Sequence, residues 1–176
     1  MRIFVVACLT ALSVPLSAIT VTPLSFSELV AASTAVVRGR VSEVRGQWTA
    51  DRRGIESLVT VDAVEYFKGD LGARVTVRVP GGQAGGFVNI IPGAPSFAEG
   101  DVVVLFLTAS GPSMPVVTGT TQGVYRVARD LRTLRLVVVP PLIDAGPTRL
   151  VRGDLERRPL SVEAFGAAVA VARGNR

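Results

Sequence analysis

Six consecutive apolar residues, Val102-Val103-Val104-Leu105-Phe106-Leu107, follow the turn sequence Glu99-Gly100-Asp101. A run this short between turn signals reads as a central strand with both faces covered, so the fold must supply apolar material on two sides of it. Elsewhere the period is two. Val75, Val77 and Val79 alternate with Arg74, Thr76 and Arg78, and Val37, Gly39 and Val41 alternate with Arg38, Arg40 and Ser42. That is the pattern of strands with one face on a core, and Gly39 within it predicts a bend or bulge.

A further strand is predicted from about Ile55 to Phe67, with Val59, Val61 and Ala63 opposite Thr60, Asp62 and Val64. Shorter strands are expected near Val116–Thr118, Gly123–Val127 and Leu134–Val139. Turn residues separate them: Asp51-Arg52-Arg53-Gly54, Lys68-Gly69-Asp70 and Pro80-Gly81-Gly82. The 18 glycines and 11 prolines act as punctuation of this kind rather than as low-complexity sequence.

Two helices bracket the strands. Ser25-Phe26-Ser27-Glu28 has capping-box spacing, and Leu24 and Leu29 stand where a hydrophobic staple joins. At the other end Ser161 is a suitable N-cap, Leu160 can staple to Phe165, and Val162, Phe165, Val169 and Ala172 form one stripe over about 161–173. The expected fold is therefore mainly β, a closed or partly open barrel with an N-terminal and a C-terminal helix. At 176 residues, 48% of them hydrophobic and 19% charged, one domain with a real core is expected.

The first residues read as an export signal. Met1-Arg2 gives a short positive start, Ile3 to Ala18 carry no charge, Pro15 breaks the apolar stretch, and Leu16-Ser17-Ala18 ends on a small residue. The expectation is a signal peptide over 1–18, a single domain over 19–176, and a periplasmic or extracellular location. The competing reading, an uncleaved anchor, is opposed by length, since a spanning helix needs roughly 20 apolar residues. A lipobox at Val5-Val6-Ala7-Cys8 fails because the apolar core continues past the cysteine. Cleavage would remove Cys8, the only cysteine, so the core alone would hold the chain together.

Histidine is absent, which excludes Ser-His-Asp and Cys-His catalysis and His-built zinc sites. No metal, cofactor or nucleotide is implied. The segment from Pro80 to Phe87 is rich in glycine but lacks the Gly-Lys-Ser/Thr and helix of a phosphate loop. Carboxylates offer no pair: Asp62 and Glu65 lie three apart on a strand and face oppositely, and Glu99 and Asp101 flank a turn glycine. A carboxylate-only hydrolase is thus the third reading.

Two stretches remain as candidate binding surfaces. One is the long excursion of residues 80–97, with Gln83, Phe87 and Asn89, beside the single tryptophan, Trp48. Its default reading is a mobile surface loop, but long loops also carry binding residues. Trp48 is either a ligand platform or an amphipathic side chain packed at a barrel mouth. The other stretch holds Arg126, Arg129, Arg132 and Arg135 on and around a hairpin. Its bland reading is a solvated basic tip; its functional reading is contact with anionic lipid headgroups or a polysaccharide. Aromatics make up only 6% of the chain, which disfavours base stacking and so nucleic acid.

Ser27-Glu28-Leu29-Val30, Val36 to Val41 with its V-x-G-x-V pattern, and Val61 to Gly69 ending Tyr66-Phe67-Lys68-Gly69 together resemble uncharacterised exported bacterial β proteins. The layout over about residues 25–127 is also similar to the netrin-like module, the OB-type barrel of tissue inhibitors of metalloproteinases. That resemblance implies the barrel. It does not imply zinc chelation, which in those inhibitors uses an N-terminal cysteine that the processed chain would lack. A non-catalytic binding or accessory module is the leading expectation. An inhibitor-like or adaptor protein acting on an exported hydrolase, without zinc chelation, is the alternative.

Overall fold

A computed structural model describes residues 23–144, 150–151 and 158–174. The expected signal segment, 1–18, lies outside the described residues. The elements run α1 (Phe26–Ala32), β1 (Ala35–Trp48), β2 (Ile55–Lys68), β3 (Arg74–Pro80), β4 (Gly82–Ala84), β5 (Phe87–Asn89), β6 (Val102–Thr108) and β7 (Val116–Val117). A 3-10 turn (Thr120–Gly123) then leads to β8 (Val124–Arg129), β9 (Leu136–Val139), β10 (Ile143–Asp144), β11 (Leu150–Val151), β12 (Leu160–Ser161) and α2 (Val162–Gly174).

The protein is mainly β, with a sheet of eight strands in the order β1-β2-β3-β7-β6-β8-β9-β12. β1 also pairs with β6, from Ala35 opposite Leu107 to Arg40 opposite Val102. The pairings β1–β2, β2–β3, β3–β7, β7–β6 and β6–β1 therefore return to their starting strand. All are antiparallel except β3–β7, where Arg78 stands opposite Val116 in parallel. β6 divides its second edge: Leu107 and Thr108 pair with β7, while Val103 to Leu105 pair with β8.

This double use explains the apolar run. Val103, Leu105 and Leu107 face a core with Val37, Val41, Val59, Val61, Val75 and Val77. Val104 and Phe106 face a second core made with Phe26, Leu29, Val30, Phe165 and Val169 from the helices. β6 is thus buried on both faces, as its sequence requires. The expected bulge in β1 is present, with a register shift against β2 between Arg38 and Gly39.

Both helices start as their caps dictate. Ser25 Oγ accepts from the Glu28 N–H and the Glu28 carboxylate accepts from the Ser25 N–H, at 3.2 and 2.7 Å. In α2 the Ala164 N–H donates to Ser161 Oγ at 3.2 Å. Phe165 is the centre of an aromatic cluster that the sequence did not announce. Its ring lies 5.2 Å from Phe67, 5.7 Å from Phe26 and from Tyr125, and 6.1 Å from Phe106. Edge-on contacts of this kind add to simple area burial, and they fix α2 over α1 and β6.

Candidate functional site

The excursion after β3 is folded back on the sheet and held at several points. Gly81 donates to the Ile55 carbonyl at 2.9 Å, and its own carbonyl accepts from Ser57 Oγ at 2.8 Å. β4 and β5 form a hairpin with Gln83 opposite Val88. The hairpin sits on β1 where glycine leaves room: a Cβ on Gly46 would be 1.8 Å from the Gln83 carbonyl oxygen. Beyond the hairpin Thr121 Oγ1 donates to the Gly93 carbonyl at 2.5 Å.

Arg126 closes the far end. Its guanidinium pairs with the Asp101 carboxylate, donates to the Ser96 carbonyl and lies 5.5 Å from the centre of the Phe97 ring. Arg126, grouped in sequence with the basic hairpin, therefore braces residues 96–101 from within β8. Arg129 and Arg132 stay exposed, at the end of β8 and in the turn after it. The structure separates these two from Arg126 and does not bring them to the excursion.

Trp48, Gln83, Phe87 and Asn89 do come together. The Trp48 and Phe87 rings meet edge-on at 5.4 Å, because β1 ends beside the β4–β5 turn. Gln83 is exposed and donates to the Gly85 carbonyl at 3.4 Å. Asn89 lines two hollows. One, of about 640 Å³, lies between the hairpin and the sheet and is bounded by Val44, Val79, Gln83, Asn89, Ile91 and Phe97; among the described residues that line it none is charged. The other, of about 680 Å³, shares Pro80, Asn89 and Ile91 but has Asp51, Arg53, Glu56 and Arg78 around it. No protein-family model matches the chain, and no curated protein does either.

Val88 and Ile90 line the first hollow and are 64% and 83% exposed, and the Phe87 and Trp48 rings, in contact with each other, are 63% and 41% exposed. Val88 and Ile90 flank Asn89 in the sequence, which does not say which way their side chains turn. Chemically the arrangement offers hydrocarbon surface, a carboxamide at Asn89 and backbone groups. Carboxylates around the excursion are engaged: Glu56 accepts from Gln47 Nε2 at 2.9 Å and lies 3.9 Å from the Arg78 guanidinium. Asp101 is paired with Arg126. Asp51 accepts from Thr49 Oγ1 at 2.6 Å and from the Arg53 N–H at 3.2 Å, which holds it below the usual range, the Thr49 contact contributing most. Among the described residues no cluster of three or more His, Cys, Asp or Glu could hold a metal ion.

Proposed function

We propose that the chain is an exported, non-catalytic binding module on an OB-like, netrin-like barrel, and that it takes a protein partner on the face made by Trp48 and residues 87–91. The barrel reading is supported by the pairings that run from β1 through β2, β3, β7 and β6 back to β1, with two helices over one side. The observation that carries the function is exposed apolar surface on one hairpin: Val88 and Ile90 at a hollow that no charged residue among the described ones lines, and Phe87 against the Trp48 ring. Contiguous exposed apolar surface of this kind costs solubility unless something covers it, and rings beside a groove are the usual anchors of a protein interface. An exported hydrolase held without zinc chelation is one partner of this type.

The test is capture of partners from secreted and envelope proteins on residues 19–176, at low and high salt. A Phe87→Ser/Ile90→Ser variant serves as the control. Apolar contacts survive screening whereas exposed charge contacts do not. A stoichiometric protein that stays bound at high salt and is lost from the variant supports the reading. Equal capture by both proteins, or none by either, removes it.

A further inference from the structure

The turn between β8 and β9 carries side chains that the fold does not use. Leu131 is 93% exposed and Leu134 64% exposed, and Arg129, Arg132 and Arg135 alternate with them at the surface. The turn itself is well made: Asp130 N–H donates to the Arg135 carbonyl at 2.9 Å and Leu134 N–H to the Asp130 carbonyl at 2.8 Å. Asp130 is the one acid in this turn. Its carboxylate is turned inward, accepting from the N–H groups of Arg132 and Thr133 at 2.8 and 3.0 Å. Arg135 has Glu163 close by, across a small hollow that Arg38 also lines. Arg129 and Arg132 form no ion pair among the described residues.

We infer that this tip docks on an anionic bilayer, with Leu131 and Leu134 entering the acyl boundary while Arg129 and Arg132, helped by Arg135, meet the lipid phosphates. The exposed leucines select a bilayer over a soluble polyanion. A polyanion would be met by the arginines alone and gives no reason for two leucines at the apex. A lipid surface presents phosphate and hydrocarbon within a few ångströms of each other, which matches alternating guanidinium and apolar side chains. Arginine also suits the site, since its planar fork grips phosphate oxygens in pairs. The inference is independent of the reading of the Trp48 face and uses different variants.

The experiment is sedimentation of residues 19–176 with vesicles of phosphatidylcholine alone or mixed with phosphatidylglycerol. Binding is expected to the mixed vesicles and to weaken as salt rises. Arg129→Gln and Arg132→Gln should each weaken it about fivefold, and Leu131→Ser about tenfold at fixed salt. Trp48 emission and the unfolding midpoint of these variants should not change, because the replaced side chains touch neither core. Residues 19–176 contain no cysteine, so Leu131→Cys accepts a single environment-sensitive dye, whose emission should shift to the blue on the mixed vesicles. Failure to bind the mixed vesicles, or equal binding by Leu131→Ser, overturns the inference. So does retention on dextran sulfate that ignores Leu131 and is not accompanied by vesicle binding.

Discussion

The ammonium of Lys68, at the end of β2, donates to the carbonyls of Val30 and Ser33 at 2.6 and 2.5 Å, and so caps the C-terminal end of α1 from another element. The last carbonyls of a helix have no partner within it, and a cation there also meets the negative end of the dipole. Gly69 follows at φ +63, where a Cβ would stand 2.4 Å from the Thr34 carbonyl oxygen. The Lys-Gly pair at the end of this strand is thus a joint between helix and sheet. Lys68→Met keeps most of the stem and removes the charge; it should lower stability by about 2 kcal/mol, read as a shift in the guanidinium midpoint at constant slope. An unchanged midpoint would mean that water serves these carbonyls equally well.

Gly46 and Gln83 approach backbone to backbone, so Gly46→Ala must push the β4–β5 hairpin off β1. Trp48 is the only tryptophan and touches Phe87 on that hairpin. Its emission therefore reports the docking. Gly46→Ala should shift Trp48 emission to the red with the far-ultraviolet spectrum retained, and Phe87→Ala should give a similar shift at a stability cost of no more than about 1 kcal/mol. Emission like that of the unsubstituted protein in Gly46→Ala would show that the hairpin does not rest on Gly46.

The strands whose side chains alternate, β1 and β3, and the doubly buried β6 were legible in the sequence because burial writes itself as period or as a run. Both helices were legible through their caps. The excursion of residues 80–97 was not. Strands of three residues, Gly82–Ala84 and Phe87–Asn89, are too short to show a period, and the glycines around them read as loop. Arg126 looked like its neighbours Arg129 and Arg132, since its bond to Asp101 spans 25 residues and leaves no local trace. The parallel contact of Arg78 with Val116 is equally remote in sequence. Trp48 and the excursion that holds Phe87 form one candidate surface in the sequence, and the fold sets one ring against the other.

Acid should weaken the N-terminal joint. The Ser25 backbone N–H, and after it the Ser25 hydroxyl, hold the Glu28 carboxyl below its ordinary value of 4.5. A folded value below the unfolded one means the anion stabilises the fold. That contribution is complete above the unfolded value and disappears as pH falls through the folded value. Stability should therefore decline from just above pH 4.5 downward, with Asp62 and Asp130 contributing in the same direction below their ordinary 3.8. Glu28→Gln should be less stable than the parent at neutral pH and should lose less on acidification. Parallel stability–pH curves for the two proteins would remove Glu28 from this account.

Leu134 offers a test in which stability and surface binding move oppositely. Its φ of +57 places a leucine in the left-handed region, at a cost of roughly 1–2 kcal/mol relative to the right-handed one. Glycine adopts that conformation without strain but loses more freedom on folding. Leu134→Gly should consequently gain up to about 1 kcal/mol, a rise in melting temperature of about 2–4 °C for a chain of this size. If the tip inserts into a bilayer, the same change should weaken vesicle binding. Leu134→Ala separates the two effects: it keeps the strained backbone, so its melting temperature should stay near that of the parent, yet it too removes the inserting side chain. A position tuned for folding alone would show the gain from glycine with no loss of vesicle binding in either variant, and the leucine would then have no function to offset its strain.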